Sequence, residues 1–279
     1  MKADEPSRTA LMIARQRAAH QVLDDGAIFL DPFALRILRE DEKDVLQFAK
    51  GHALASIGRL FSAARSRIAE DALSEAVERG VGQIVILGAG LDTFALRNPH
   101  SARQIRIYEV DHPATQAWKR ERLAEAGIGF PPWLVFVPVD FERDELGEQL
   151  GAAGFERSTP AFFTWLGVVP YLTESAIGRT LDFISSIENG EVVFDYLEPA
   201  EAFSEELREM EKARSERLKK VGERSDRRFG PAEMRALLGA HGFSVVEDIG
   251  FEEIRSRFGG AVQGLAAGHA GLRVVHARH

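Results

Sequence analysis

Two glycines, Gly88 and Gly90, flank Ala89 in a short turn that directly follows the apolar run Gln83 to Leu87. An apolar, mostly β-branched run that ends in glycine is typical of a buried parallel strand. Glycine allows backbone conformations that most side chains forbid, and we expect its missing Cβ to let a ligand lie directly on the turn. The turn therefore predicts a site for a nucleotide-like ligand.

Acidic residues end the next two apolar runs along the chain. Glu109 and Asp111 lie in the segment Ile105 to Pro113, and Asp140 lies in the segment Trp133 to Phe141. In a doubly wound sheet the carboxylate after the second strand binds ribose hydroxyls, and ligands occupy the crevice at the carboxyl ends of the strands. The sequence thus predicts that the turn and these acids share one crevice.

Two known phosphate-binding sequence motifs do not fit this turn. The dinucleotide fingerprint G-x-G-x-x-G would need a third glycine where the chain has Thr93, and the G-x-x-x-x-G-K-[ST] loop would need a lysine that is absent. An NAD-linked oxidoreductase on a similar sheet therefore stays as a disfavoured alternative.

Apolar runs alternate with helical patterns from residue 83 to residue 197, which predicts parallel strands joined by right-handed crossovers. The predicted strands are 83–88, 105–111, 133–140, 160–172 (running into a loop) and 191–197, with helices from Asp92, Pro113, Asp144 and Thr173 between them. Two more strands, 242–250 and 271–279, are separated by a glycine-rich segment. A parallel sheet completed by a strand pair is typical of methyltransferases and not of dehydrogenases. We therefore predict an α/β fold of the class I methyltransferase (Rossmann-like) type, with a doubly wound, mostly parallel seven-stranded sheet and a helical lid.

Helical patterns flank this core on both sides. Ser7 is a good N-cap for a first helix, Asp31-Pro32 opens a second, and a long helix over 59–79 follows a polar stretch, 39–50. After the fifth strand we expect a charged helix over 200–221, a polar loop around Ser225 and a helix over 231–241. The predicted organisation is one domain over 1–279, with an N-terminal helical lid (1–80), a cofactor-binding core (81–198), a helical insertion or lid (199–242) and a closing strand pair (243–279).

The composition excludes several classes of protein. With 45% hydrophobic and 28% charged residues among 279, the chain resembles ordinary globular proteins, and without cysteine it has no disulfides or thiolate metal sites. The net charge of −8 argues against a nucleic-acid partner. We see no bilayer-spanning run and no signal peptide, so we expect no membrane contact and a cytoplasmic location. The eight histidines lack metal-ligand spacing, so no metal is predicted.

Several motifs carry a resemblance to a known family. The runs QIVILGAGLDTFALR, YEVDHPATQAWKRERL, FVPVDFERDEL and WLGVVPYLT resemble the bacterial branch of the leucine carboxyl methyltransferase family of S-adenosylmethionine-dependent O-methyltransferases. The runs SRTALMIARQRAAH and LDPFA also resemble that branch, so the resemblance covers roughly residues 7 to 196. It implies S-adenosylmethionine as cofactor and S-adenosylhomocysteine as product.

The resemblance also implies roles for individual residues. An arginine in the position of Arg65 would bind the methionine carboxylate, beside the backbone of Gly88, Ala89 and Gly90. Asp111 would accept the ribose hydroxyls, with Glu109 as the competing choice, and Asp140 with Phe141 would bracket the adenine. The N-terminal helices would cover the cofactor, which makes Arg15, Arg17 and His20 candidates for the pocket.

The acceptor is less defined than the cofactor. We predict a small metabolite methylated on a hydroxyl or a carboxylate, with Arg17, Tyr171 and Tyr196 as substrate-binding candidates. A hydroxyl acceptor needs a general base and a carboxylate does not. Candidates for that catalytic residue are His20, Tyr171, Tyr196 and Glu198.

One position departs from the family pattern. Many relatives carry a glutamate where this chain has Leu166. If that acid steadies the positively charged end of the cofactor, this chain lacks one contact. A cofactor-binding protein without catalysis is therefore the alternative function, and the oligomeric state stays open.

Overall fold

The computed structural model describes residues 7–50, 55–220 and 227–279. The strands are β1 (Gln83–Leu87), β2 (Arg106–Asp111), β3 (Leu134–Pro138), β4 (Ala161–Trp165), β5 (Glu191–Leu197), β6 (Ser244–Gly250) and β7 (Leu272–Arg278). They form one seven-stranded sheet in the order β3-β2-β1-β4-β5-β7-β6. The first five strands pair in parallel, and β7 runs antiparallel to both of its neighbours. The predicted fold class is confirmed.

The helices connect the strands and cover both faces of the sheet. They are α1 (Arg8–Leu23), α2 (Ala34–Leu38), α3 (Glu42–Lys50), α4 (Ala55–Glu78), α5 (Phe94–Arg97), α6 (Pro113–Glu125), α7 (Leu146–Ala152), α8 (Glu174–Ser185), α9 (Glu205–Lys220), α10 (Pro231–Ala240) and α11 (Phe251–Phe258). None of the helices in the described ranges combines the length and the apolar character needed to cross a membrane.

Local sequence patterns predicted most of these elements, but they did not predict the helices α3 and α11. The Ser7 side chain accepts a hydrogen bond from the Ala10 N–H at 3.2 Å, as an N-cap should. By contrast, α3 forms within the predicted polar stretch, where it buries Val45, and α11 forms in the glycine-rich segment, where it buries Phe251. In both helices a few apolar residues suffice because neighbouring elements supply the packing. The loop predicted around Ser225 lies outside the described residues.

Alternation along β1 divides the core between the two faces of the sheet. Ile84 and Ile86 join the apolar cluster on the α4 face, whereas Val85 and Leu87 join the cluster on the α8 and α10 face. A third cluster packs α1 and α2 against the turn after β1 and against α6. This third cluster fixes α1 across the carboxyl end of the sheet.

Candidate cofactor site

A cavity of about 420 Å³ lies at the carboxyl ends of the parallel strands. The side chains of Ala10, Ile13 and Arg17 line it from α1. Their spacing of three and four residues places them on one face of the helix. The first helix therefore lies against the crevice, and its role as the N-terminal part of a lid stays a prediction. Among the described residues of the range 199–242, none lines the cavity, so the second part of the lid stays a prediction.

The glycine turn after β1 forms the floor of the cavity. Gly88 and Gly90 have φ angles of +66° and +49°, which favour glycine. A Cβ on Gly88 would lie 2.3 Å from Cγ2 of Val168, and one on Gly90 would lie 3.0 Å from Cβ of Ala10. The expectation that the missing Cβ atoms leave room for a ligand is wrong, because protein atoms occupy that space. The two glycines and Ala89 nevertheless line the cavity.

Asp111 joins this turn to the end of β2. Its Oδ2 accepts a hydrogen bond from the Gly90 N–H, and its Oδ1 accepts one from the His112 N–H at 2.7 Å. Burial raises the pKa of Asp111, and the two backbone donors only partly oppose that effect. Each carboxylate oxygen has a second lone pair, so Asp111 can still accept hydrogen bonds from a diol in the cavity.

Glu109 lies two residues earlier on β2 and does not line the cavity. Its Oε2 lies 2.6 Å from Nζ of Lys119 on α6, and both side chains are buried. Burial raises the pKa of Glu109 to about 7, although Lys119 opposes the rise. The competing assignment of Glu109 to the ribose is therefore wrong, because its carboxylate belongs to the interface between β2 and α6.

Asp140 and Phe141 line the cavity beyond the end of β3. Asp140 Oδ1 accepts a hydrogen bond from the Glu142 N–H at 3.0 Å, and the Phe141 carbonyl accepts one from Arg179 at 2.9 Å. These contacts fix the loop after β3 at the wall of the cavity.

Arg65 lines the cavity from α4 and is buried. Its Nη1 lies 2.8 Å from Oδ2 of Asp195 on β5, and Asp195 Oδ1 accepts a hydrogen bond from the Gly167 N–H at 2.5 Å. The ion pair holds one arm of the guanidinium in place. The adjacent Leu166 lines the cavity and packs against the apolar cluster on the α4 face.

Of the candidates on the first helix, Arg17 alone lines the cavity. It donates from Nη2 to the Leu91 carbonyl at 2.6 Å, and its Nε lies 3.2 Å from Asp31. Arg15 instead pairs with Glu40 at 2.6 Å on the outer side of the helix.

His20, Tyr196 and Glu198 do not line the cavity, so their assignment as catalytic candidates is wrong. His20 is completely buried, with Nδ1 at 2.9 Å from Asp24 and Nε2 accepting the Ile28 N–H at 3.2 Å. The Tyr196 hydroxyl donates to Asp248 at 3.0 Å, and burial raises its pKa. Glu198 lies 3.7 Å from Arg273. Tyr171 is the one catalytic candidate that lines the cavity.

Sequence reasoning missed several polar residues of the cavity wall. They are Ser66, Asp92, Glu142, Arg143 and Thr164. Asp92 lies in the same GAGLDT run as the two glycines, so its proximity to the turn was a usable signal. His112 acts as the N-cap of α6, where its Nδ1 accepts the Ala114 N–H at 3.3 Å. No group of three or more metal-ligating side chains comes together within the described ranges.

Comparison with known proteins identifies a family and similar methyltransferases. The model of the leucine carboxyl methyltransferase family matches residues 10–185. The "Putative S-adenosyl-L-methionine-dependent methyltransferase YktD" of Bacillus subtilis (strain 168) is 31% identical over 287 residues, which cover 92% of this chain and 93% of that protein. A "Putative S-adenosyl-L-methionine-dependent methyltransferase" of Mycobacterium sp. (strain KMS) is 35% identical over 196 residues, which cover 64% of this chain and 62% of that protein.

A solved structure shows the same fold over the whole chain. A DUF574 family protein from Streptomyces avermitilis MA-4680 superposes with a TM-score of 0.60 at 16% identity, covering 99% of this chain and 98% of that chain. At that identity the likeness concerns the fold alone. Together with the family match over more than half of the chain, these findings show that the protein is an S-adenosylmethionine-dependent methyltransferase and belongs to the leucine carboxyl methyltransferase family.

Proposed function

We propose that this methyltransferase transfers the methyl group to an oxygen atom of a small acceptor, and that this oxygen belongs to a carboxylate. The observation that supports the proposal best is Arg17, a buried guanidinium that lines the cavity from α1. Its Nε pairs with Asp31 at 3.2 Å and its Nη2 donates to the Leu91 carbonyl, so Nη1 is the guanidinium nitrogen that has no partner among the described residues. A guanidinium fork matches the geometry of a carboxylate, which makes Arg17 a suitable group to hold the acceptor.

The residues of the cavity fit the cofactor of the family. Asp140 and Phe141 lie after β3, Asp111 lies at the end of β2, and Arg65 lines the cavity from α4. We assign the first two to the adenine, Asp111 to the ribose hydroxyls and Arg65 to the methionine carboxylate. When bound, S-adenosylmethionine supplies a methyl group on a positively charged sulfur.

The polar groups of the cavity favour an acceptor that needs no deprotonation. His112 uses the Nδ1 lone pair for the Ala114 N–H, so the neutral ring carries its proton on Nε2. Asp111 and Asp140 both accept backbone hydrogen bonds. A carboxylic acid is already ionised at neutral pH, with a typical pKa of about 4. A carboxylate acceptor therefore requires only binding and orientation.

The protein then contributes mainly position and the exclusion of water. The helix α1 lies against the crevice and brings Arg17 into the same cavity as the turn after β1. Holding two reactants in a near-attack geometry can lower a barrier by about 7–11 kcal/mol. We expect α1 and its Arg17 to supply much of this effect.

The first experiment measures binding without an acceptor. Isothermal titration with S-adenosylmethionine, S-adenosylhomocysteine and NAD should show binding of the first two and none of the third. Binding of NAD alone would contradict the assignment of the cavity. Transfer is then measured with a methyl-labelled cofactor and matched panels of small carboxylic acids and phenols or alcohols.

The chemical stability of the product separates the two kinds of oxygen. Methyl esters release volatile methanol in mild alkali, whereas methyl ethers do not, so an alkali-labile label supports the carboxylate. An alkali-stable label would refute it. Arg17→Gln should raise the KM for the acceptor at least about tenfold, while Arg17→Lys keeps the charge and tests the need for the fork. Cofactor binding without transfer to either panel would favour a binding protein without catalysis.

A further inference from the structure

Asp92 is a carboxylate on the cavity wall to which no role has been assigned so far. It lies directly after the glycine turn and is partly buried. Its Oδ1 accepts the Phe94 N–H at 2.7 Å. Its Oδ2 accepts no hydrogen bond from a described residue, and no described lysine, arginine or histidine forms an ion pair with it. One oxygen of Asp92 is therefore available to a ligand.

The other acids of the cavity differ from Asp92 in this respect. Asp111 accepts a backbone hydrogen bond on each oxygen. Glu142 accepts the N–H of Thr173 on one oxygen at 3.0 Å and its hydroxyl on the other at 2.9 Å. Asp140 has Arg143 at 3.8 Å from its Oδ2. Asp92 therefore contributes the least compensated negative charge among the described acids of the wall.

The charge of Asp92 interacts with that of Arg97, but Arg97 forms its ion pair with another acid. Arg97 binds Glu70 through both arms of its guanidinium. The negative charge of Asp92 helps to raise the pKa values of Glu70 and Glu109, although burial is the main cause in both. The region next to the turn therefore has a negative potential that favours a cationic group of the ligand.

A small side pocket adjoins the main cavity at Asp92. The pocket has about 20 Å³, enough for one water molecule. Ser66, Asp92 and Leu166 border both this pocket and the main cavity. Ser66 directly follows Arg65, which also lines the main cavity. Asp92 and Arg65 thus offer opposite charges to the same cavity.

This pair of charges is complementary to an α-amino acid, which carries a carboxylate and an ammonium on one carbon atom. We infer that Asp92 binds the α-ammonium group of the methionine part of the cofactor, while Arg65 faces the carboxylate. The ammonium has three N–H donors, of which one can reach the unpaired Oδ2. The inference concerns cofactor binding and does not depend on the identity of the acceptor.

Three ligands separate this role from its rivals. S-adenosylmethionine has both the ammonium and the sulfonium, S-adenosylhomocysteine has the ammonium alone, and 5′-methylthioadenosine has neither. In Asp92→Asn the amide oxygen can still accept the Phe94 N–H, and only the charge is lost. Isothermal titration should show that Asp92→Asn binds the first two ligands about tenfold to a hundredfold more weakly than the parent does. Its affinity for 5′-methylthioadenosine should stay within about twofold of the parent value.

Each other outcome contradicts the inference. Weaker binding of S-adenosylmethionine alone would assign Asp92 to the sulfonium. Equally weaker binding of all three ligands would show that Asp92 has a structural role. Unchanged binding of all three would show that it has no role in cofactor binding. Asp71→Asn is the matched control, because Asp71 is an exposed acid of α4 that pairs with Arg67 and does not line the cavity, and it should leave all three affinities unchanged. Asp92→Ser, which keeps a cap acceptor for Phe94, should show the same ligand pattern if Asp92→Asn does not fold.

Discussion

The pKa values of two carboxyl groups at the two ends of the central sheet are shifted in opposite directions. At the amino end of β5, Glu191 binds Arg79 at 2.5 Å, His276 at 3.0 Å and Arg278 at 3.2 Å. Burial alone would raise the pKa of Glu191, but these hydrogen bonds outweigh it and lower the pKa to about 2. At the carboxyl end, burial prevails and raises the pKa of Asp111.

The opposite shifts have opposite consequences for stability. A carboxyl group with a lowered pKa stabilises the folded state above its ordinary pKa, whereas a raised pKa destabilises the folded state once the pH exceeds that ordinary value. Glu191 therefore stabilises the fold at neutral pH, and Asp111 weakens it. The loss of stability caused by Asp111 is consistent with a carboxylate that is retained to bind a ligand. The difference shows that Glu191, away from the cavity, stabilises the fold, whereas Asp111, which lines the cavity, lowers its stability.

The largest predicted effect is on the free energy of unfolding, and it concerns Glu109, a carboxylate near the carboxyl end of β2 that does not line the cavity. Glu109→Gln leaves Lys119 buried without a charged partner. Breaking a buried pair in this way costs about 3–5 kcal/mol in the free energy of unfolding. Urea denaturation measures that loss, and titration should find the cofactor affinity within about threefold of the parent, because Glu109 does not line the cavity.

The double variant Glu109→Gln with Lys119→Met is the control for this prediction. It removes both charges, so most of the lost stability should return. A loss of affinity in the double variant comparable to that of Asp111→Asn would show that Glu109 acts on the ligand after all.

The next effect concerns binding. Asp111→Asn should weaken S-adenosylmethionine about a hundredfold, because two hydrogen bonds to a charged acceptor are lost or weakened. The melting temperature of the unliganded protein should change by only a few degrees, since removing a carboxylate with a raised pKa offsets the lost backbone contact. Titration and a thermal melt measure both quantities. Unchanged affinity would refute the ribose assignment.

At the amino end the pattern should reverse. Glu191→Gln should lower the free energy of unfolding by about 2 kcal/mol at pH 7, a value that allows for the exposure of Arg79 and Arg278. Since the folded pKa is about 2, the difference between parent and variant should shrink as the pH falls from about 4.5 towards 2. Denaturation over that pH range is the measurement. A change in cofactor affinity above about twofold would contradict the separation of the two ends.

The sequence predicted the parts of the molecule that local patterns control. The strand Glu191–Leu197 has the predicted bounds, and Ser7 caps α1 as expected. Asp111 and Asp140 reach the cavity because each follows an apolar strand of the same parallel sheet. These signals lie within a few residues of the features that they predict.

The wrong predictions concern side chains whose polar groups bind buried neighbours elsewhere than in the cavity. His20 was a candidate because the resemblance implies N-terminal helices that cover the cofactor, and its contact with the Ile28 N–H cannot be read from periodicity. Tyr196 pairs with Asp248, 52 residues later. In both cases the polar group satisfies a buried neighbour, which a pattern of residue types does not reveal.

The smallest predicted effect is on cofactor affinity, and it tests whether a carboxylate at position 166 can replace the one at position 92. Leu166 and Asp92 border the same water-sized pocket, so Leu166→Glu places a carboxylate beside the missing charge of Asp92→Asn. In the Asp92→Asn background it should strengthen S-adenosylmethionine binding about fivefold to tenfold, whereas in the parent the change should stay within about threefold, because two adjacent carboxylates repel each other. A double-mutant cycle with isothermal titration measures the coupling between the positions. Equal effects in both backgrounds would mean that the two side chains act on the cofactor independently.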